Sequence, residues 1–329
     1  MGSIIVVEGL VKKFGGFTAV DHVDLDVKKG EIFGLLGPNG AGKTTIINMM
    51  LSLLVPTSGK ILIDGFRLGG NSEKIKQMIG LMTQETVVEE ELTAEENLEI
   101  FAKLYHIPEK EIPKKVAEAL KEADIVSFKN AKASTFSGGM KRRLGLVRAM
   151  IQNPKVLVLD EPTTGLDVQN RVSMWSRIRE LNRGGTTVIL TTQYLEEADM
   201  LCDRIAIIDH GRIIASGTPT ELKRLAGTGN ILEITAKQTD VEKIAKALKS
   251  KFSLSPTVNG DKITAELSGK HRTTFVRVAI ELERLKLEPV AISTHLPTLD
   301  DVFIKLTGAT LRDTLSEGTS QFGRLRTGR

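Results

Sequence analysis

A glycine-rich loop near the start of the chain has the residue types and the spacing of a phosphate-binding site. It reads Gly37-Pro-Asn-Gly-Ala-Gly-Lys43-Thr44-Thr45 and fits the pattern G-x-x-x-x-G-K-[ST]. Apolar residues at 31–36 predict a buried strand before the loop, and residues 45–54 predict a helix after it. The glycines let consecutive N–H groups point at a phosphate, while Lys43 adds positive charge and Thr44 offers a hydroxyl to Mg²⁺. We therefore predict a nucleotide triphosphate site formed by Gly37, Pro38, Asn39, Gly40, Ala41, Gly42, Lys43, Thr44 and Thr45; a glycine turn with an incidental lysine is the alternative.

Two adjacent carboxylates follow another apolar run further along the chain. Residues 155–159 include four consecutive apolar side chains and predict a strand that is buried on both faces of a parallel sheet. This places Asp160 and Glu161 at the carboxyl edge of the sheet, where open α/β sheets bind ligands. Asp160 is then positioned to hold Mg²⁺ with Thr44, and Glu161 is a candidate general base for an attacking water. A solvated turn is the alternative, which the phosphate loop upstream disfavours.

The elements that must position these residues can be predicted from hydrophobic periodicity. Residues 3–27 alternate apolar and polar positions and predict antiparallel strands, with a turn at 14–16. Residues 93–128 are mostly helical in pattern, and another helix is predicted from 139 to 151. From 155 to 216 strands alternate with helices, which predicts an α/β core with a parallel sheet.

The pattern changes in the last third of the chain. Glycines break it at 227–230, which we predict to be a linker after a domain of residues 1–226. Residues 231–308 follow the order strand, helix, two strands, helix, strand, helix, which predicts a small α+β domain of ferredoxin-like character. Residues 309–329 have few apolar anchors and are predicted to form a mobile tail.

Composition excludes several classes of protein. The 329 residues are 41% hydrophobic and 26% charged, as in an ordinary globular protein, and no apolar run approaches the roughly eighteen residues of a membrane helix. Cys202 is the single cysteine, so no internal disulfide is expected, and it is predicted to pack in the core. The net charge of +4 is mild, and basic runs such as 141–143 are interpreted as solvated surface. We therefore predict no nucleic-acid partner.

A third motif links these residues to a known family. Phe136-Ser137-Gly138-Gly139-Met140 resembles the signature motif of ATP-binding cassette (ABC) proteins, usually written L-S-G-G-Q. Gln84 is similar to the Q-loop glutamine of that family, and Gly165-Leu166-Asp167 is similar to its D-loop. Phe14 stands where the family has an aromatic residue that stacks on adenine. The resemblance covers residues 4 to about 225.

The resemblance implies a P-loop ATPase with a RecA-like core, an antiparallel β subdomain and an α-helical subdomain that carries the signature. It implies ATP and Mg²⁺ as cofactors, with metal contacts from Thr44, Gln84 and Asp160. In the family the signature of one subunit closes on the nucleotide of the other, which implies a head-to-tail homodimer. The residues implied in nucleotide contacts besides the loop are Phe14, Ser137, Gly138, Gly139 and Asp167, and those implied in catalysis are Glu161, Gln193 and Gln84.

The sequence departs from the family pattern at two positions. Met140 replaces the usual glutamine of the signature and leaves its Ser-Gly-Gly unit intact. Gln193 occupies the position of the switch histidine. Glutamine can donate a hydrogen bond to a γ-phosphate but cannot carry a proton charge, so we expect no acid–base role at this position.

Two further segments, 191–195 and 296–308, resemble the daunorubicin-resistance-type exporter ATPases. In that group the ATPase is a separate chain that docks on a membrane subunit. We therefore predict the ATP-hydrolysing subunit of an exporter, peripheral on the cytoplasmic face of the cell membrane, with transmembrane permease subunits as partners. The alternative is a soluble cassette ATPase that acts on ribosomes or DNA. For residues 231–308, a dimerisation or packing module and a small-ligand sensor are both open.

Overall fold

The computed structural model describes residues 2–69, 72–84, 88–267 and 271–307, with Ser72 and residues 271–273 described by their backbone alone. The strands are β1 Ser3–Phe14, β2 Phe17–Lys28, β3 Ile32–Leu36, β4 Ser58–Ile63, β5 Phe66–Arg67, β6 Ile79–Met82, β7 Val156–Asp160, β8 Thr187–Thr192, β9 Arg204–Asp209, β10 Arg212–Gly217, β11 Asn230–Thr235, β12 Thr257–Asn259, β13 Lys262–Leu267 and β14 Ala291–His295. The helices are α1 Lys43–Met50, α2 Ser72–Met78, α3 Ala94–Leu104, α4 Ile112–Glu122, α5 Gly138–Met150, α6 Val168–Arg183, α7 Leu195–Leu201, α8 Pro219–Ala226, α9 Gln238–Phe252, α10 His271–Arg284 and α11 Leu299–Thr307. The predicted tail at 309–329 lies outside the described residues.

A parallel sheet carries the predicted chemistry. Its strands lie in the order β10-β9-β3-β8-β7-β6, and β3, β8, β7, β6 and β9 pair in parallel. All residues of β3, β7 and β8 are buried, which explains their continuous apolar character. Because β8 lies between β3 and β7, the phosphate loop and the carboxylate pair emerge at the same edge of the sheet, one strand apart.

An antiparallel sheet in the order β2-β1-β4-β5 packs on this core. The β1–β2 pair runs from Ser3 opposite Lys28 to Phe14 opposite Phe17, as the alternation of apolar residues predicts. Buried side chains of this sheet and of β3 and α1 form one apolar cluster, whose members include Leu10, Val20, Ile61, Phe33 and Ile47. This cluster stabilises the surroundings of the phosphate loop.

The helices α3, α4 and α5 form a separate apolar cluster that includes Leu98, Leu120 and Leu144. A capping box of Thr93 and Glu96 starts α3. Among the described helices, none is long and apolar enough to cross a membrane. The helical subdomain predicted between the Q-loop and the signature is therefore present as a packed unit of its own.

Residue contacts divide the chain into two units between Ile214 and Ala215. In the second unit the strands lie in the antiparallel order β12-β13-β11-β14, connected as β11-α9-β12-β13-α10-β14. This is the ferredoxin-like arrangement that the sequence predicts. Leu232 and Ile263 of the sheet pack with Ile244 of α9 and Val278 of α10.

The predicted linker at 227–230 lies inside this second unit. The helix before it, α8, packs against α11, and Ala226 at its end accepts a hydrogen bond of 3.4 Å from Lys305 Nζ. The carboxylate of Glu266 on β13 then accepts hydrogen bonds from the N–H groups of Thr228, at 2.8 Å, and Gly229, at 3.1 Å. These contacts fix the glycine-rich turn to the neighbouring sheet.

Candidate functional site

The phosphate loop connects β3 to α1, and two of its glycines are required by close backbone contacts. Gly42 precedes α1 with a φ of 105°, a left-handed conformation that glycine adopts without strain. A Cβ atom at Gly42 would lie 2.7 Å from the carbonyl oxygen of Ala19, and one at Gly37 would lie 2.3 Å from that of Ile208. The loop therefore packs directly on β2 and β9, and no side chain fits at either glycine.

Lys43 is the buried cation of this loop. Its Nζ donates to the carbonyl oxygens of Gly37, at 2.8 Å, and Pro38, at 3.0 Å, and lies 4.0 Å from Glu161 Oε1. Burial lowers the pKa of Lys43, whereas the carboxylates of Glu161 and Asp160 raise it. The other predicted loop residues differ in exposure: Pro38 and Ala41 are buried, Thr45 is half-buried, and Asn39, Gly40 and Thr44 are exposed.

Asp160 ends β7 and meets the loop through Thr44. The hydroxyl of Thr44 lies 3.4 Å from Asp160 Oδ2 and donates to it. The hydroxyl of Thr191, opposite Asp160 on β8, donates to Oδ1. Thr44 and Asp160 thus bring two hard oxygen ligands together, which is the donor chemistry that Mg²⁺ prefers.

Glu161 follows with a φ of 48°, a left-handed conformation that costs a residue with a Cβ about 1–2 kcal/mol. Its N–H donates to both the carbonyl and the hydroxyl oxygen of Thr191, each at 3.1 Å, which holds the turn. Its Oε2 accepts a 3.1 Å hydrogen bond from the hydroxyl of Thr164 and lies 3.5 Å from Gln193 Nε2. The sharp turn therefore aims the carboxylate of Glu161 at Lys43 and Gln193.

Gln193 lies in the connection from β8 to α7, at the same edge of the sheet. Its amide nitrogen faces Glu161, while its buried Oε1 accepts no hydrogen bond from the described residues. The side chain is therefore oriented as a donor toward the carboxylate. A donor here can hold an oxygen ligand but cannot take up a proton.

The signature and D-loop residues lie together at the starts of α5 and α6. Ser137 caps α5, and its Oγ accepts a 3.2 Å hydrogen bond from the Met140 N–H. Asp167 caps α6, and hydrogen bonds from Asn170 lower the pKa of its carboxylate. A Cβ atom at Gly139 would lie 2.8 Å from Asn170 Oδ1, so Asn170 contacts both motifs. Among the described residues, no hydrogen bond joins Ser137, Gly138 or Gly139 to the phosphate loop of the same chain.

Gln84 and Phe14 lie further out. Gln84 is exposed just after β6 and makes no hydrogen bond to another described side chain or backbone group. Phe14 ends β1 with 49% of its surface exposed, and the Lys12 ammonium lies 5.0 Å from the centre of its ring. An exposed ring at a strand end is free to stack on a flat ligand.

Arg142 corrects the interpretation of the basic run 141–143 as solvated surface. It is 7% exposed, and its guanidinium donates to the carbonyl oxygens of Thr83, at 3.4 Å, and Thr164, at 3.3 Å. Burial lowers the pKa of Arg142, and the carboxylate of Glu161 raises it. Arg142 therefore connects the signature helix α5 to the residues next to Gln84 and after Glu161.

Sequence reasoning missed Thr191 and Arg142 for different reasons. Thr191 stands beside Asp160 only because β7 and β8 pair in this register, although its place two residues before Gln193 hints at the site. Arg142 lies between two other basic residues, so its residue type does not distinguish it in the sequence. It is buried because its position on helix α5 points it in a different direction from its neighbours.

Several known proteins resemble this chain, and two relatives match it along more than nine-tenths of its length. The family model for the ABC transporter matches residues 20–164. A daunorubicin resistance ATP-binding protein of Streptomyces coeruleorubidus is 38% identical over 304 residues, which cover 92% of this chain and 96% of the relative. Nod factor export ATP-binding protein I of Ralstonia nicotianae is 36% identical over 311 residues, which cover 94% of this chain and 95% of the relative. A dimeric ATP-binding cassette in a post-hydrolysis state, bound to ADP and Pi, is 29% identical with a TM-score of 0.59 and covers 65% of this chain and 98% of that chain.

The matched regions contain the phosphate loop, the carboxylate pair and the strands that bring them to one edge of the sheet. The alignments with these two bacterial relatives cover more than nine-tenths of the chain. This chain therefore belongs to the ATP-binding cassette transporter family and is an ATP-binding subunit that hydrolyses ATP.

Proposed function

We propose that this chain is the ATPase subunit of an exporter, that it forms a head-to-tail homodimer around two ATP molecules, and that it drives separate permease subunits from the cytoplasmic face of the membrane. The observation that carries the catalytic part is the position of Glu161, which lies between Lys43 and Gln193 at the edge of the sheet. The relatives named for daunorubicin resistance and for Nod factor export support the direction of transport.

Lys43 and the loop N–H groups bind the phosphates in this proposal. Lys43 already uses two N–H donors to hold the loop, at Gly37 and Pro38, and has a third donor for a phosphate oxygen. Thr44 and Asp160 would hold Mg²⁺, with Gln84 as a further oxygen ligand. When bound, Mg²⁺ neutralises charge on the β- and γ-phosphate oxygens. Phe14 stacks on the adenine ring.

Glu161 acts as the general base for the attacking water. Its carboxylate accepts a proton while the water oxygen bonds to the γ-phosphorus and the bond to the ADP oxygen breaks. The Thr164 hydroxyl and the Gln193 amide hold the carboxylate in place from its Oε2 side. Gln193 also donates a hydrogen bond to the γ-phosphate.

The second part of each site comes from the partner copy. Ser137, Gly138 and Gly139 start a helix whose free N–H groups and dipole favour an anion, and in this chain they do not bond to their own phosphate loop. We infer that they close on the nucleotide bound by the other copy, with Asp167 beside them. Each ATP is then held between two chains.

The central experiment replaces Glu161 with glutamine. Glu161→Gln keeps the shape of the side chain but removes its basicity, so we expect kcat to fall by about 10³-fold with an unchanged Kd for ATP. Steady-state phosphate release and equilibrium binding of ATP measure these two effects. Glu196→Gln is the matched control. Because Glu196 is exposed on α7, this variant should hydrolyse ATP at the native rate. Near-native turnover of Glu161→Gln, or loss of ATP binding, contradicts the assignment.

A further inference from the structure

Glu197 on α7 is a carboxylate without solvent exposure that no motif explains. It is 0% exposed and lies four residues after Gln193. Burial raises the pKa of Glu197, and hydrogen bonds from Thr163 and Trp175 oppose this shift, while Oε2 accepts no hydrogen bond from the described residues. Burial of a carboxylate is unfavourable unless hydrogen-bond donors compensate for the lost hydration, so the donors to Glu197 are needed to keep it in this position.

One oxygen of Glu197 collects both of these donors. Its Oε1 accepts a 2.8 Å hydrogen bond from the Thr163 hydroxyl and a 2.9 Å hydrogen bond from Trp175 Nε1. Both donors are buried as well. Because all three side chains are buried, these hydrogen bonds lie in a region of low dielectric constant, where hydrogen bonds are strong.

The two donors belong to different functional segments. Thr163 lies two residues after Glu161 in the turn where the Thr164 N–H donates to the Glu161 carbonyl oxygen at 3.2 Å. Trp175 lies on α6, which Asp167 caps. Glu197 itself lies on the helix that directly follows Gln193. One carboxylate therefore joins the segments that carry the general base, the D-loop and the switch residue.

We propose that Glu197 is a positioning residue for hydrolysis: through Thr163 it fixes the turn that aims Glu161, and it ties that turn to the segment of Gln193. Glu197 touches neither ATP nor the attacking water in this scheme. The inference rests on the proposed role of Glu161 as general base. A purely structural role predicts a loss of stability and no specific loss of turnover.

The test separates the two donors. Thr163→Val removes the hydroxyl but keeps the shape of the side chain, and we expect kcat to fall about tenfold with an unchanged Kd for ATP. Trp175→Phe removes the other donor; it should lower the midpoint of urea unfolding while kcat stays within about twofold of the native value. Glu197→Gln keeps an acceptor oxygen without the charge and should lower kcat severalfold, less than Thr163→Val does.

A double-mutant cycle decides the coupling. If Glu197 acts through Thr163, the variant that combines Thr163→Val with Glu197→Gln should be no slower than Thr163→Val alone. Multiplicative losses in kcat, a native kcat for Thr163→Val, or equal losses for Thr163→Val and Trp175→Phe overturn the proposal. Should Glu197→Gln fail to fold, the comparison of Thr163→Val with Trp175→Phe still decides it. Glu161→Gln serves as the separate check, because a native rate there rejects the general base itself.

Discussion

At the scale of residues, the site depends on one hydroxyl that serves two neighbours. Thr191 on β8 donates to the Asp160 carboxylate and accepts from the Glu161 N–H, so it fixes the direction of both acids. The chain turns sharply between Asp160 and Glu161, and this turn requires the left-handed φ of Glu161. As a result, Asp160 faces Thr44 and Glu161 faces Gln193.

Gln193 allows a test of the switch position. A hydrogen bond to a charged group contributes about 1.5–3 kcal/mol, so Gln193→Ala should slow turnover by about ten- to a hundredfold, less than Glu161→Gln does. Gln193→His keeps a donor and should retain substantial activity. Because imidazole titrates near pH 6.5, this variant should also gain a pH dependence between about pH 6 and 7 that the native chain lacks.

The measurement is the steady-state ATPase rate against pH for the native chain and both variants at saturating Mg-ATP. A native rate for the alanine variant across this range would show that Gln193 does not take part in the reaction. An unchanged pH profile for the histidine variant would show that the side chain does not face the reacting groups.

Residues in contiguous motifs could be predicted from the sequence, and residues that act through packing could not. The phosphate loop and the pair Asp160 and Glu161 are recognisable because their chemistry requires neighbours along the chain. Arg142 and Glu197 have neighbours along the chain with the same charge. They are buried because they lie on the inward faces of α5 and α7. Strand register, which no local pattern fixes, decides the partner of Thr191.

At the scale of elements, most of the helices and strands that the sequence predicts are present, with ends that differ by a few residues. The helix expected over 45–54 instead starts at Lys43 and ends at Met50, because Ser52 adopts a φ of 59°. The eight-residue α8 and the seven-residue α2 were not predicted, since one or two turns give too little periodicity to detect. Tertiary packing, as between α8 and α11, stabilises such short helices.

The close approach of α5 to β6 leads to a prediction at this scale. A Cβ atom at Gly80 would lie 2.1 Å from the Ala149 carbonyl oxygen, so Gly80→Ala must push the signature helix away from the sheet. We expect it to lower the free energy of unfolding by about 1–3 kcal/mol, measured by urea denaturation. Gly16→Ala is the control, because nothing lies within 4 Å of its Cβ position, and it should change stability by less than about 0.5 kcal/mol. Equal stability of the two variants would mean that the contact between α5 and β6 is loose.

At the scale of the whole molecule, the described residues of the first unit include two sheets and two apolar clusters, and those of the second unit form a further sheet with its own apolar cluster. The ferredoxin-like order of the second unit could be predicted because its strands and helices alternate in a simple sequence. The sequence does not predict the division between Ile214 and Ala215. It follows from the packing of α8 against α11 in the second unit, and no change in composition marks it. The signature and the phosphate loop both lie in the first unit. The proposed head-to-tail site would therefore combine the first units of two copies.

The composite site predicts how Ser137→Arg behaves. The arginine places bulk and charge where the partner's nucleotide binds, so the variant should bind ATP with nearly native Kd but should neither dimerise nor hydrolyse ATP. Ser137→Ala is the matched control, because it removes the cap hydrogen bond to the Met140 N–H, worth about 1 kcal/mol, without adding bulk. Sedimentation velocity with ATP in the Glu161→Gln background measures dimer formation.

Mixing Ser137→Arg with Lys43→Ala chains, both with Glu161 intact, leaves one complete site per mixed dimer, since one chain supplies an intact loop and the other an intact signature. Partial recovery of the ATPase rate in the mixture supports the head-to-tail arrangement, and a Ser137→Arg chain that dimerises normally with ATP contradicts it.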